Sequence, residues 1–176
     1  MEYTIEKLLA EEQWKQLNVI EGKESCKRKI EGIRIIEVPE MARYLTGGEL
    51  LLTSLYVYRD CSAEEFYQYL IAFEEKHISG ILLKEREQIS EKEKKIKLLK
   101  TYCESKKIPL IEMPKKISFW VMISFVMNRI FTKDVARLRY FKLTQDNFNT
   151  LSFGRDITSS KTQDILELLS DMVDNP

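Results

Sequence analysis

The sequence predicts an α/β domain: a small, mostly parallel and possible mixed sheet of about five strands flanked by helices, followed by a helical extension. Three observations carry this. Apolar runs of strand length at residues 30–38, 49–58, 80–84 and 108–114 alternate with longer segments of helical period. Parallel neighbours need a crossover of a dozen or more residues, and the alternation supplies them. The third observation is Leu45-Thr46-Gly47-Gly48-Glu49-Leu50-Leu51-Leu52-Thr53, a glycine pair directly ahead of a run that reads as a buried strand. Glycine gives the backbone positive φ where the chain must turn sharply, and loops pinned between strands often carry function.

Each element has its own local cause. Thr4 is placed to cap a helix from Ile5 to Gln16, with Ile5, Leu8, Leu9 and Trp14 as its apolar stripe. Leu17 to Gly22 alternates and ends at glycine, as a short strand does. Ile30 to Val38 is the second strand, closed by Pro39, and Glu40 to Leu45 is a short helix before the glycine turn. Glu49 to Tyr58 is the third strand. Ser62-Ala63-Glu64-Glu65 is a capping box that opens a helix to about His77, with Phe66, Tyr69, Leu70 and Phe73 on one face. Ser79-Gly80 breaks it, and Gly80 to Lys84 is a buried strand. Ser90-Glu91-Lys92-Glu93 reads as a second capping box, opening a helix to about Lys106 whose Ile96, Leu99 and Tyr102/Cys103 point inward. Ile108 to Pro114 is the last strand, and Ser118 caps a helix that begins at Phe119 and runs past Phe131, apolar on nearly all its faces. The short first strands leave room for an antiparallel or mixed edge.

The division expected is a domain over residues 1–131, a helical connector over 132–160, and the start of a truncated downstream region over 161–176. Val135, Leu138, Phe141, Phe148 and Leu151 recur at helical spacing in a polar background. The Phe119–Phe153 region carries more apolar surface than a monomer exposes, which predicts a homodimer. The final amphipathic stretch has no core around it, so the end reads as a cut inside or at the edge of a further domain.

Composition bounds the function. With 28 Lys+Arg against 28 Asp+Glu and a pI near 6.6, the chain is a poor direct DNA binder, since such domains are usually basic. Cys26, Cys61 and Cys103 are scattered with no C-x-x-C pair, which argues against a metal site and a disulfide framework and fits a reducing, cytoplasmic setting. The longest apolar run, Phe119 to Met127, is far short of a membrane span.

No catalytic constellation stands out. His77 is the sole histidine and sits at a helix end, where the dipole favours it. Neither a Walker A nor a G-x-G-x-x-G occurs, so Gly47-Gly48 is no phosphate loop, and no cofactor is implied. The turn is either a tight reversal before a strand or a place where free N–H groups and Glu49 face a ligand. Lys84 leaves the carboxyl end of a strand, where open α/β sheets bind ligands, or else begins a solvated charged loop. The lysine-rich stretch from Glu91 to Lys107 reads as a solvated face with pairs such as Glu91–Lys95. The candidate ligand-binding set is Glu37, Gly47, Gly48, Glu49, Thr53 and Lys84.

From Ile20 to Phe131 the chain resembles the N-terminal domain of the PucR family, the purine-catabolism-regulator-like bacterial transcription regulators. The resemblance is carried by Ile30-Glu31-Gly32-Ile33 to Val38-Pro39, Tyr44 to Thr53, Ile78 to Lys84, Lys107-Ile108-Pro109-Leu110-Ile111-Glu112-Met113-Pro114, and the helix with Asn128-Arg129-Ile130. It implies a non-enzymatic regulatory domain that senses a small-molecule effector or a partner. It also implies a C-terminal helix-turn-helix domain, absent from this chain, through which DNA is bound. The glycine-acid turn with a later I-P-L strand is similar as well to N-terminal domains of Mur ligases and HPr kinases. Two other readings stand beside the sensor: a substrate-binding lobe of a multidomain enzyme, and a ligand-free dimerisation module.

Overall fold

Five strands form one sheet in the order β1-β5-β4-β3-β2, where β1 is Asn18–Glu21, β2 Gly32–Ile35, β3 Glu49–Thr53, β4 Gly80–Leu83 and β5 Leu110–Glu112. The computed structural model describes residues 2–84 and 89–131. Strands β2, β3, β4 and β5 are parallel, and β1 runs antiparallel to β5 with a register irregularity between Val19 and Glu21. This is the mixed edge that the short first strands allow. All of the described residues except Phe131 lie in a unit spanning Met1–Ile130, and the expectations for residues 132–160 and 161–176 fall outside them.

The sheet has a core on each face because β3 and β4 are buried at every position and apolar between the polar ends of β3. Side chains alternate across a strand, so a strand covered on both faces reads as a continuous apolar run. In β3, Leu51 faces one core while Leu50 and Leu52 face the other. The first core receives Phe66 and Leu70 from α2 (Ala63–Ile71), Leu99, Tyr102 and Cys103 from α3 (Lys92–Ser105), and Met41 and Ala42 from a 3-10 turn at Met41–Tyr44. The second receives Ile5 and Leu8 from α1 (Ile5–Ala10) and Met122 and Val126 from α4 (residues 119–131, to the edge of the described chain). Trp14 packs edge-on to Phe125, centroids 5.3 Å apart, and Arg129 pairs with Glu11 at 2.9 Å, so α4 is held against the N-terminal segment.

Several boundaries differ from the sequence expectation for identifiable reasons. The first α-helix stops at Ala10 because Glu11 is extended, and a 3-10 turn at Glu12–Trp14 brings the indole inward. Strand β3 stops at Thr53 because its hydroxyl accepts from Leu55 N at 2.9 Å and Leu55 takes a left-handed φ of 58°. Helix α2 opens with the expected capping box, Ser62 and Glu65 each bonding the other's backbone N–H, but ends at Ile71 before a 3-10 turn at Glu74–Lys76.

The second capping box does not form. Glu91, at φ 48°, precedes α3, and its carboxylate accepts from Ala63 N at 2.9 Å, at the start of α2. Ser90 instead donates to Arg59 O and accepts from Lys95 Nζ at 3.2 Å. Lys95 is fully buried, with its ammonium on Tyr58 O at 2.8 Å, and Glu91 pairs with Lys94 rather than with Lys95. The lysine-rich helix is therefore not a purely solvated face. Among the described residues, no helix is long and apolar enough to cross a membrane.

Candidate functional site

Glu49 opens β3 with its side chain turned back onto the glycine turn. Its carboxylate accepts from Thr46 N, from Thr46 Oγ1 and from Gly47 N, each at 2.8 Å, and Arg34 Nε lies 3.8 Å away. Only 3% of the side chain is exposed. Burial raises the carboxyl's affinity for a proton, but the hydrogen bonds from Thr46 and Gly47 outweigh it, and the group is held below the ordinary carboxylate range. Gly47 and Gly48 take φ of 110° and 75°. A Cβ on Gly48 would fall 2.7 Å from Glu31 Cγ. The other polar groups of the turn also meet protein partners. Gly48 N donates to His77 O at 3.2 Å, and Gly48 O accepts from Glu31 N at 2.8 Å and from Ser79 Oγ at 3.1 Å.

The opposite edge of the sheet gathers different chemistry. Thr53 is buried at the carboxyl end of β3, and its carbonyl accepts from Lys84 N at 2.9 Å. Lys84 follows β4, and its ammonium donates to Ile117 O at 2.6 Å and lies 5.6 Å from the Phe119 ring centroid. Ile117 immediately precedes Ser118, whose Oγ accepts from Trp120 N at 3.2 Å at the start of α4. Lys84 thus ties the ends of two central strands to the beginning of α4. Glu37 is exposed just past the end of β2, where Ile36 N still bonds Leu52 O. Past β5 lies a shallow groove of about 210 Å³ lined by Gln16, Glu112, Met113, Pro114 and Lys115.

The six candidate residues therefore divide between the two ends of the sheet. Gly47, Gly48 and Glu49 stand at the amino-terminal edge, while Glu37, Thr53 and Lys84 stand at the carboxyl edge. The length of β3, at ~3.3 Å per residue, puts roughly 13 Å between Glu49 and Thr53. The groove residues Gln16, Glu112 and Lys115 are not among the six sequence candidates; only the placement of Glu112 at a strand's carboxyl end signals it.

The described residues offer little for covalent chemistry. Burial pushes the Cys103 thiol up to about 12, and burial also raises Cys26 and Cys61, which leaves the thiols protonated and weakly nucleophilic. Among the described residues, no group of three or more His, Cys, Asp or Glu could hold a metal ion. What the carboxyl edge can do is bind: a cation, backbone groups at strand ends and a small polar groove lie on one rim.

Residues 7–130 match the family model described as the purine catabolism regulatory protein-like family. A curated relative, the purine catabolism regulatory protein of Bacillus subtilis (strain 168), is 23% identical over 160 residues, covering 90% of this chain and 28% of the relative. The chain thus spans little more than a quarter of that relative's length.

Proposed function

The chain belongs to the purine catabolism regulatory protein-like family, and we propose that it is the N-terminal signal-sensing domain of a transcription regulator of that kind. It acts in the cytoplasm without turnover. It binds a small metabolite or partner and relays the event to a C-terminal helix-turn-helix domain outside this chain, which contacts DNA. The full protein works as a homodimer through the Phe119–Phe153 region.

One observation carries this reading: the Lys84 ammonium at the carboxyl edge holds the backbone carbonyl of Ile117, next to the cap of α4. An anionic or carbonyl-bearing effector arriving at that edge competes with Ile117 for the same ammonium. Effector binding and the position of α4 are then linked, as a ligand-biased two-state element requires. The glycine turn serves this reading as a brace for β3, with Gly47, Gly48 and Glu49 shaping the sheet that carries Thr53 and Lys84 and lying apart from the effector.

The test is a thermal-shift screen of the chain against purines, ureides and amino acids. An effector at 100 times its Kd stabilises the fold by about 2.7 kcal/mol. Lys84→Met removes that shift while the unliganded protein stays folded. A full-strength shift in Lys84→Met would sink the proposed site. The remainder of the reading frame decides the wider claim: a helix-turn-helix pattern near its end supports it, and a Walker A sequence overturns it in favour of an enzyme's substrate lobe.

A further inference from the structure

The chain changes faces between β4 and β5. After β2, β3 and β4 it turns onto the face of the first core, which takes Met41, then Phe66 and Leu70 of α2, then Leu99 and Tyr102 of α3. After β5 it turns onto the opposite face, which takes Met122 and Val126 of α4. Where the connections leaving two neighbouring parallel strands part to opposite faces, a crevice opens outside the strand ends, and open α/β sheets bind ligands there. In this sheet that place is the carboxyl end of the β4–β5 pair.

The register sets which residues border the crevice. Leu83 stands beside Glu112, and Met113 N donates to Leu83 O at 2.8 Å, so Lys84 and Met113 follow side by side. The turn after β5 is closed by Ile117 N on Pro114 O at 3.0 Å. The Lys84 ammonium holds the last carbonyl of this turn, while the first residues of the turn line the groove of about 210 Å³. Charges of both signs, Glu112 and Lys115, border that groove beside the Gln16 amide and the apolar Met113 and Pro114. Glu112 is exposed, and among the described residues its carboxylate has no ion-pair partner. A carboxylate draws an amine and an ammonium draws a carboxylate, and such charge-assisted hydrogen bonds are the strong ones. A ligand of single sign meets one of these groups and is repelled by the other. The groove's size, below that of drug-sized pockets, restricts the ligand to a small molecule.

We propose that the crevice between the carboxyl ends of β4 and β5 binds a small zwitterion, its carboxylate on the Lys84 ammonium and its amine on the Glu112 carboxylate. This rests on the effector reading above and names the effector's chemistry. Isothermal titration calorimetry of the 176-residue chain with glycine, β-alanine, γ-aminobutyrate and δ-aminovalerate tests it. The zwitterion whose length matches the crevice binds, and its N-acetyl and amide forms, each stripped of one charge, bind roughly tenfold weaker or worse. Lys84→Met and Glu112→Gln each weaken it by about the same factor. Glu24→Gln, at an exposed position past the far end of β1, leaves binding unchanged. Glu112→Lys gains affinity for succinate, which carries a carboxylate at each end and does not bind the wild type; misfolding does not mimic that gain. Binding lost in Lys84→Met but kept in full by Glu112→Gln overturns the zwitterion crevice and leaves an effector on Lys84 standing. Binding kept in full by both variants overturns the Lys84 anchor as well. An N-acetyl form that binds as tightly as its parent, or a wild type that binds none of the four probes, overturns the zwitterion, while the purine and ureide screen decides the sensor reading separately.

Discussion

The amino-terminal edge of the parallel sheet is closed by its own side chains. Every described polar contact of the Thr46-Gly47-Gly48 turn goes to another part of the protein, and the Glu49 carboxylate gathers three donors. At the carboxyl edge, among the described residues, Lys84 reaches one backbone carbonyl and an aromatic face, Glu37 and Glu112 are exposed, and a groove lies past β5. The two edges share one strand yet have opposite characters: a saturated network holds a shape, and a partly committed cation can change partners. On the proposed reading, a conspicuous sequence signature marks the brace of a site rather than the site.

Substitutions at the two edges sharpen or break this contrast. The largest effect is expected for Glu49→Ala, which strips three hydrogen bonds and leaves Thr46 and Gly47 to water. It costs about 3 kcal/mol in urea unfolding, with effector response preserved in whatever fraction remains folded. Loss of response without loss of stability would break the contrast. The same carboxylate sets an acid dependence. Its folded pKa lies below the ordinary 4.5, so its contribution is fully present above that value and is lost as pH falls through the folded pKa. The stability gap between wild type and Glu49→Gln, followed by unfolding at successive pH values, should close in that acid window and remain constant from pH 6 to 8 (ordinary carboxylates titrate near ~4).

Thr53→Val is next, at about 1–2 kcal/mol, because Leu55 N is left buried without its acceptor. Lys84→Met costs about 1 kcal/mol or less in the same assay, yet it should abolish the effector shift. That opposition between small stability loss and complete functional loss is the sharpest form of the comparison. Glu37→Gln, at an exposed position, changes stability by less than ~0.5 kcal/mol.

Local signals were legible in the sequence. Ser62 and Glu65 sit three residues apart and bond each other's backbone, and the glycine pair gave the turn at the head of β3. The parallel sheet followed from strands alternating with helices of crossover length. Non-local commitments were not legible. Ser90-Glu91-Lys92-Glu93 has the pattern of a capping box, but Lys95 draws the serine away and Glu91, whose carboxylate bonds the start of α2, takes the position ahead of α3. Nothing in a run of lysines and glutamates distinguishes the lysine whose Cα faces the core. The division of the six candidate residues between two edges was implicit in the parallel order, since Glu49 begins its strand while Thr53 ends the same strand and Lys84 follows the next.

Lys95 carries a practical consequence. Its amine is enclosed and engaged with Tyr58 O and Ser90 Oγ, whereas the neighbouring Lys94 side chain is 71% exposed. Acylating reagents that mark free lysines will label Lys94 in the native domain and reach Lys95 only when α3 detaches. The pair forms an internal gauge readable by peptide mass spectrometry, in which the ratio of the two modifications reports how often this half of the fold opens.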